Sequence, residues 1–155
     1  MSDPTARFAT PRLAAGALFV DRDRIFLVHK AYGIHWDLPG GYVDRGESPA
    51  SACERELREE LKLERTVKRL LVHDWAPSDA EGDKILYVFD CGELGHDKAS
   101  IVFDGTEIDT DKLVPIDDVS QMAVPRLARR LEYAYRAYSS GETLYLENGR
   151  PRKTG

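Results

Sequence analysis

The chain has 155 residues, of which 42% are hydrophobic and 32% are charged, and its formal net charge is −5. This balance is typical of one folded domain and excludes disordered and collagen-like chains. The negative charge argues against stable nucleic acid binding through the overall field of the protein. No apolar run approaches the roughly 20 residues of a membrane span, and the first residues have no signal-peptide core. The two cysteines form no metal-type spacing or disulfide framework, and we therefore expect a cytoplasmic protein that does not contact membranes.

The N-terminal part of the chain predicts an arm, two strands and a bend. Residues 1–11 are polar and contain two prolines, which favours a flexible arm. The apolar run 13–20 predicts a buried strand, and 24–30 predicts its hairpin partner across a turn at 21–23. We expect 36–41 to break regular structure, because Gly40 and Gly41 follow a proline and permit a tight bend and close approach to a ligand.

The rest of the chain predicts two helices among short strands. Ser48 and Pro49 are typical of a helix start, and the apolar face of Cys53, Leu57 and Leu61 predicts a helix over about 49–61. Strands are predicted at 66–75 and 84–91, shorter ones at 101–103, 113–116 and 144–146, and a second amphipathic helix at 123–139. These elements predict one α/β domain over 12–148, followed by a polar tail at 149–155.

An acidic cluster lies on the first predicted helix. At about 100° per residue, Glu56, Glu59 and Glu60 fall within an arc of about 100°, and Arg55 lies one turn from Glu59, close enough to pair with it. Most charged runs are solvated surfaces. However, like charges four residues apart destabilise a helix, and crowded oxygen ligands suit a hard cation such as Mg²⁺ or Mn²⁺. From these residues alone, a plain acidic surface and a metal site both remain open.

The spacing around this cluster matches a known motif. The pattern Gly, five residues, Glu, seven residues, Arg-Glu-aliphatic, one residue, Glu-Glu occurs as Gly41, Glu47, Arg55, Glu56, Leu57, Glu59 and Glu60. This pattern resembles the Nudix box, and the segment 36–41 looks like the one that commonly precedes it. The resemblance to the Nudix hydrolase family implies an α/β fold, namely an α/β/α sandwich with a mixed β-sheet in a single domain. It also implies metal-dependent hydrolysis of a diphosphate bond in a small soluble substrate, often a nucleoside diphosphate linked to another group.

The resemblance also implies roles for individual residues. The residues that it implies as ligands of Mg²⁺ or Mn²⁺ are Gly40 (through its carbonyl), Glu56, Glu59 and Glu60. The residues that it implies as orienting these glutamates or bracing the loop are Arg55 and Glu47. By this interpretation, water held in line by the cations attacks phosphorus.

The general base and the substrate contacts have open alternatives. The base is either Glu59 or Glu107, because many Nudix enzymes place a late glutamate in the loop that corresponds to 104–107. Glu107 could equally be an ordinary turn residue. Tyr32 could stack on a planar group or pack at its loop, and Arg12 could meet a phosphate or simply be solvated.

One position departs from the family pattern. Lys62 stands where the family has a glycine that serves a left-handed turn at the helix end, and a residue with a side chain costs about 1 kcal/mol in that conformation. We therefore expect a changed helix exit with one more turn.

Two other functions are compatible with the sequence. One is a catalytically silent Nudix fold that serves as a nucleotide-sensing or protein-interaction module, although three retained glutamates argue against it. The other is an interaction domain in which the acidic helix is only surface. A homodimer is compatible with the family, and the sequence does not identify the leaving group of the substrate.

Overall fold

The computed structural model describes residues 3–103 and 105–153. Residues 1–2 of the predicted arm, Asp104 of the predicted 104–107 loop and residues 154–155 of the predicted tail lie outside it. The strands are β1 (Arg12–Leu18), β2 (Val20–Asp21), β3 (Arg24–Lys30), β4 (Trp36–Asp37), β5 (Gly40–Tyr42), β6 (Leu70–Trp75), β7 (Lys84–Asp90), β8 (Ile108–Pro115), β9 (Leu144–Glu147) and β10 (Arg150–Pro151). The helices are α1 (Pro49–Leu61), α2 (Val119–Met122) and α3 (Pro125–Ser140), and 3₁₀ turns cover Gly95–Ser100 and Ile116–Asp118.

The strands form two sheets. The larger sheet has the strand order β10-β9-β6-β7-β1-β5. This sheet is mixed: β1 runs parallel to β7 and β6 runs parallel to β9, whereas the other neighbouring strands of the sheet are antiparallel. In the smaller sheet β3 pairs with β8 along one edge and with β2 and β4 along the other. The mixed sheet of the sequence-based prediction is confirmed.

The apolar run 13–20 divides between the two sheets. β1 pairs with β7 and β5, whereas Val20 pairs with Ile25 in the smaller sheet. Phe19, between them, is fully buried. The predicted hairpin with 24–30 is therefore confirmed only next to its turn, where Arg22 adopts a left-handed conformation with φ 60°. The prediction of one continuous strand over 13–20 is wrong.

Three further strand predictions need correction. The segment 36–41 forms the short strands β4 and β5 instead of breaking regular structure. The strand predicted at 113–116 begins earlier, at Ile108, because it pairs with the whole of β3. No strand forms at 101–103, where a 3₁₀ turn ends and the Ile101 N–H donates to the Lys98 carbonyl.

Helix α1 begins and ends for local reasons. The Ser48 hydroxyl accepts a hydrogen bond from the Ser51 N–H at 3.1 Å, and Pro49 occupies the first helical position, as expected. The extra turn expected after Leu61 does not form. Lys62 itself adopts the left-handed conformation (φ 58°, ψ 35°). The N–H groups of Lys62 and Leu63 donate hydrogen bonds to carbonyls of the last turn. The helix therefore ends at the position where the family has a glycine, with a lysine in the strained backbone conformation.

The two long helices cover opposite faces of the sheets. One core cluster joins α1, through Cys53, Leu57 and Leu61, to residues such as Phe26 and Val28 of β3. The other joins α3 to the alternate residues of β3, as the two-residue period of a strand requires. The result is an α/β/α sandwich. None of the helices in the described part of the chain is long and apolar enough to cross a bilayer.

Candidate active site

Close packing of β5 against α1 positions the glutamates of the helix. The Gly40 N–H donates a hydrogen bond to Glu60 Oε1 at 3.1 Å. A Cβ added to Gly41 would lie 2.6 Å from Glu56 Oε1, and one added to Gly40 would lie 2.1 Å from the Ala15 carbonyl oxygen. Glycine is therefore required at both positions, because a side chain would displace either the carboxylate or the neighbouring strand.

Arg55 connects the carboxylates of the site. Its Nε and Nη2 donate to the two carboxylate oxygens of Glu47 at 2.8 and 2.9 Å, and its Nη1 donates to Glu56 at 3.0 Å and to Glu59 at 3.1 Å. Nη2 also donates to the Tyr42 carbonyl at 3.1 Å. The bonds from Arg55, together with one from the Asp44 N–H, lower the pKa of Glu47 to about 2. The planar guanidinium thus fixes three carboxylates relative to one another.

Glu60 is the buried carboxylate of the cluster. Its residue is only 8% exposed, and its Oε2 is buried without a hydrogen-bond partner among the described residues. Burial raises the pKa of Glu60 to about 8, the charge of Lys30 opposes the rise, and the neighbouring Glu56 carboxylate adds to it. A buried carboxylate oxygen with no partner is costly unless something binds it.

The residues present fit a hard divalent cation. The Glu56 side chain is 15% exposed and that of Glu59 is 59% exposed, so the cluster runs from the interior to solvent. No group of three or more His, Cys, Asp or Glu side chains within residues 3–103 and 105–153 is placed so that it could hold a metal ion without moving. An open site of few carboxylates is the arrangement that suits Mg²⁺, which keeps several waters and also binds substrate phosphates.

The other predicted site residues lie at the periphery. Glu107 is exposed, and its carbonyl accepts a hydrogen bond from the Ala31 N–H at 2.9 Å, next to the end of β3. Tyr32 is 78% exposed in the loop after β3. Arg12 lies at the start of β1 with its Nη1 3.8 Å from Glu81 Oε1. The catalytic role of Glu107 and the substrate contacts of Tyr32 and Arg12 stay predictions.

A cavity of about 330 Å³ opens beside the glutamates. Its lining includes Gly40, Gly41 and Lys30, which border the acidic cluster, and it extends between the larger sheet and the start of α3. Two of its lining residues, Asp37 and Arg130, were not found from the sequence. Burial raises the pKa of Asp37, against the opposing charges of Lys30, Arg130 and Lys84.

A signal for Arg130 was present in the sequence. Arg130 lies three residues after Leu127 and four before Ala134, on the apolar face of α3. A charge at such a position is buried and needs a partner. In the structure Arg130 is 7% exposed and its Nε donates to Asp74 Oδ2 at 2.6 Å.

Comparison with known proteins agrees with the fold and with the family that the sequence resembles. A family model described as "NUDIX domain" matches residues 10–138. The sequence is also 43% identical over 47 residues to an RNA pyrophosphohydrolase of Azorhizobium caulinodans. That match covers 30% of this chain and only 28% of the relative.

Solved structures share the architecture over most of the chain. A UDP-X diphosphatase is 27% identical with a TM-score of 0.69, covering 92% of this chain and 70% of that one. A MutT protein from Methanosarcina mazei Go1 is 21% identical (TM-score 0.68; 88% and 99% covered). An ADP-ribose pyrophosphatase from Streptococcus suis 89-1591 is 23% identical (TM-score 0.65; 89% and 99% covered). The last two similarities establish the fold alone.

Proposed function

The chain belongs to the NUDIX domain family, and on that premise we propose that it hydrolyses a diphosphate bond of a small soluble substrate with the help of Mg²⁺ or Mn²⁺. A nucleoside diphosphate linked to another group is the substrate class that we favour. Proteins named UDP-X diphosphatase and RNA pyrophosphohydrolase are among those to which the chain is similar, and both names describe cleavage of linked phosphates.

The observation that carries this proposal is the environment of Glu60. Its Oε2 is buried and has no hydrogen-bond partner among the described residues, while Glu56, one turn earlier on α1, is held beside it. Such an arrangement is unfavourable for the protein alone, because two carboxylates repel and one is desolvated. A bound divalent cation would compensate both costs.

The proposed ligands are the Gly40 carbonyl, next to Glu60, and the three glutamates of α1. Their side chains run from the buried Glu60 through Glu56 to the exposed Glu59. When bound, the cation neutralises phosphate charge and makes a water molecule more acidic. Arg55 is a positioning residue, because its hydrogen bonds reach Glu47, Glu56 and Glu59. The cavity next to Gly40 and Gly41 receives the group attached to the diphosphate.

The proposal is tested by incubating the protein with a panel of nucleoside triphosphates, nucleoside diphosphate sugars, dinucleotides and isoprenoid diphosphates, with Mg²⁺, with Mn²⁺ and with EDTA, and by separating the phosphorylated products chromatographically. We expect hydrolysis of at least one compound that requires the cation. In E56Q and E60Q turnover is expected to fall more than about 100-fold, since both variants remove a charged ligand.

The matched control is E64Q, because Glu64 is exposed and lies beyond the end of α1. It carries the same chemical change and should keep wild-type turnover. Full activity in both E56Q and E60Q would contradict the proposal. Cation-independent binding of nucleotides without turnover of any compound would instead favour the silent, nucleotide-sensing form of the fold.

A further inference from the structure

Arg130 uses only part of its hydrogen-bonding capacity within the protein. Its Nε donates to Asp74 Oδ2 at 2.6 Å, and the other oxygen of Asp74 accepts the Gly149 N–H at 3.0 Å. Arg130 Nη2, in contrast, is buried and has no hydrogen-bond partner among the described residues. Because a buried donor without a partner is unfavourable, and because Arg130 lines the cavity, the free side of this guanidinium is a candidate contact for a ligand.

The charge of Arg130 is already balanced by Asp74, which restricts the chemical class of ligand that Arg130 can bind. Asp74 is fully buried and forms the ion pair with Arg130. Two other cations of the lining are also engaged, since Lys84 Nζ lies 2.7 Å from Glu81 and Arg126 Nη1 donates to the Pro77 carbonyl at 3.2 Å. Arg130 therefore offers a hydrogen-bond donor whose charge Asp74 already balances, which suits a neutral oxygen acceptor better than another phosphate.

Much of the cavity wall is apolar, which suits the faces of an aromatic ring. Its apolar lining includes Ala14, Gly16, Leu86, Val88 and Leu127. A Cβ at Gly16 would approach Leu38 Cδ1 to 3.1 Å, so the glycine lets Leu38 pack closely against β1. Asp37 lies in the same lining, and its Oδ1 accepts the Leu38 N–H at 2.7 Å. Apolar walls with a few polar groups that fix orientation are typical of small-molecule sites.

We propose that this cavity holds the nucleobase of the substrate and that Arg130 selects uracil and guanine, the bases with a carbonyl oxygen at ring position 4 or 6, over the amino bases cytosine and adenine, which have an amino group at that position. This inference rests on the proposed function, because it places the diphosphate at the glutamates next to Gly40 and Gly41. Uracil and guanine both present a carbonyl oxygen beside a ring N–H, which complement a donor from Arg130 and a carboxyl oxygen of Asp37. An amino base would direct its own N–H groups at Arg130 and leave both donors unpaired.

The first test compares matched substrates in the wild-type protein. UDP-glucose and CDP-glucose share their sugar and diphosphate, as do GDP-glucose and ADP-glucose. We expect kcat/KM to be at least about 10-fold higher for the carbonyl base of each pair, since unpaired buried polar groups discriminate strongly. Equal values within both pairs, or a preference for the amino bases, would overturn the inference.

The second test changes Arg130. R130K keeps a positive charge beside Asp74 but removes the planar set of N–H donors, so the carbonyl preference should fall to less than about threefold. The control is E132Q, on an exposed position of the same helix, in which the preference should be unchanged. An unaltered preference in a folded R130K protein would contradict the role of Arg130. If R130K does not fold, the double variant D74L/R130M replaces the buried pair by apolar residues and should also lose the preference.

A binding measurement separates failure of this inference from failure of the proposed function. Calorimetry of UMP against CMP, and of GMP against AMP, in EDTA needs neither cation nor turnover. We expect tighter binding of UMP and GMP to the wild-type protein and no preference in R130K. Absence of hydrolysis with this binding preference intact would contradict only the proposed function, whereas hydrolysis with equal binding of all four nucleotides would contradict only the base selection.

Discussion

The carboxylate of Glu60 and the backbone N–H of Gly40 are joined by a 3.1 Å hydrogen bond, although the two residues are 20 positions apart. This bond fixes the C-terminal turn of α1 to β5. It also satisfies Oε1 alone, since Oε2 of the same carboxylate has no hydrogen-bond partner among the described residues. One oxygen therefore holds the side chain in place and the other is available for a ligand.

The raised pKa of Glu60 predicts an unusual pH dependence of stability. In the folded protein without a cation its pKa is about 8, against a usual value of 4.5, so the folded state holds a proton that the unfolded state has lost. The stabilisation is complete below about pH 4.5 and is lost as the pH rises through 8. We expect the melting temperature in EDTA to fall over this range, and less steeply in E60Q, whose amide does not titrate.

Addition of Mg²⁺ should reverse this loss. The cation binds the deprotonated carboxylate and only the folded state, so the rise in melting temperature at a few millimolar Mg²⁺ should be larger at pH 8.5 than at pH 6. E64Q should behave like the wild-type protein. Identical pH profiles for E60Q and the wild-type protein would show that the pKa of Glu60 is not raised, and no effect of Mg²⁺ at either pH would show that Glu60 is not a ligand.

A methyl group at position 41 should impair the site without unfolding the protein. The added Cβ would lie 2.6 Å from Glu56 Oε1, and the flexible end of a side chain moves more readily than a strand. We expect G41A to lower kcat more than about 10-fold, because a small displacement of a ligand is costly, while its melting temperature changes little. G33A is the control, because the nearest atom to a Cβ there is 3.7 Å away. Equal activity of G41A and G33A would mean that the position of Glu56 is not critical.

Replacement of Arg55 should change the arrangement of the carboxylates more than the fold. R55K keeps the charge but cannot reproduce the fork that reaches Glu47, Glu56 and Glu59. We expect kcat to fall about 10- to 100-fold and the affinity for Mg²⁺ to weaken. R58K, on the exposed side of α1, should be neutral in both measurements. A loss of stability in R55K with unchanged Mg²⁺ affinity would indicate a purely structural role.

The local parts of this architecture could be predicted from the sequence. The start of α1 at Ser48 and the pairing of Arg55 with Glu59 depend on residues within one helical turn, and both were predicted. The environment of Glu60 could be predicted only in part. Its position beside the apolar face followed from the helical period, but its bond to Gly40 depends on contact between distant elements.

The remaining features depend on long-range packing. Asp74 and Arg130 pair across 56 positions, and neither residue has a neighbour in sequence that identifies the other. The division of 13–20 at Phe19 likewise depends on two different partner strands. The prediction at Lys62 failed for a local reason. It gave too much weight to the cost of a left-handed backbone at a residue with a side chain, and too little to the hydrogen bonds that end the helix.

The general base can be assigned by comparing E59Q with E107Q. Glu59 is bonded to Arg55 with its side chain 59% exposed, and Glu107 is exposed beside the end of β3. Only one of the two carboxylates is expected to take the proton. The variant that lacks the base should lose about 100-fold or more in kcat with an altered pH profile, while the other keeps the wild-type profile. If both variants keep the wild-type profile, neither residue is the base. Mg²⁺ affinity measured in both proteins distinguishes loss of a ligand from loss of the base.

The left-handed Lys62 predicts a stabilising substitution. Glycine adopts this conformation without steric cost, so K62G should stabilise the protein by about 1 kcal/mol and raise the melting temperature by about 2–4 °C. The Lys62 Nζ donates to the Glu59 carbonyl at 2.9 Å, and the loss of this exposed bond offsets little of the gain. K62A is the matched control, because it loses the same bond but keeps a Cβ in the strained conformation. A melting temperature of K62G no higher than that of K62A would show that the backbone at position 62 is not strained, and an unchanged kcat in both variants would show that Lys62 itself takes no part in catalysis.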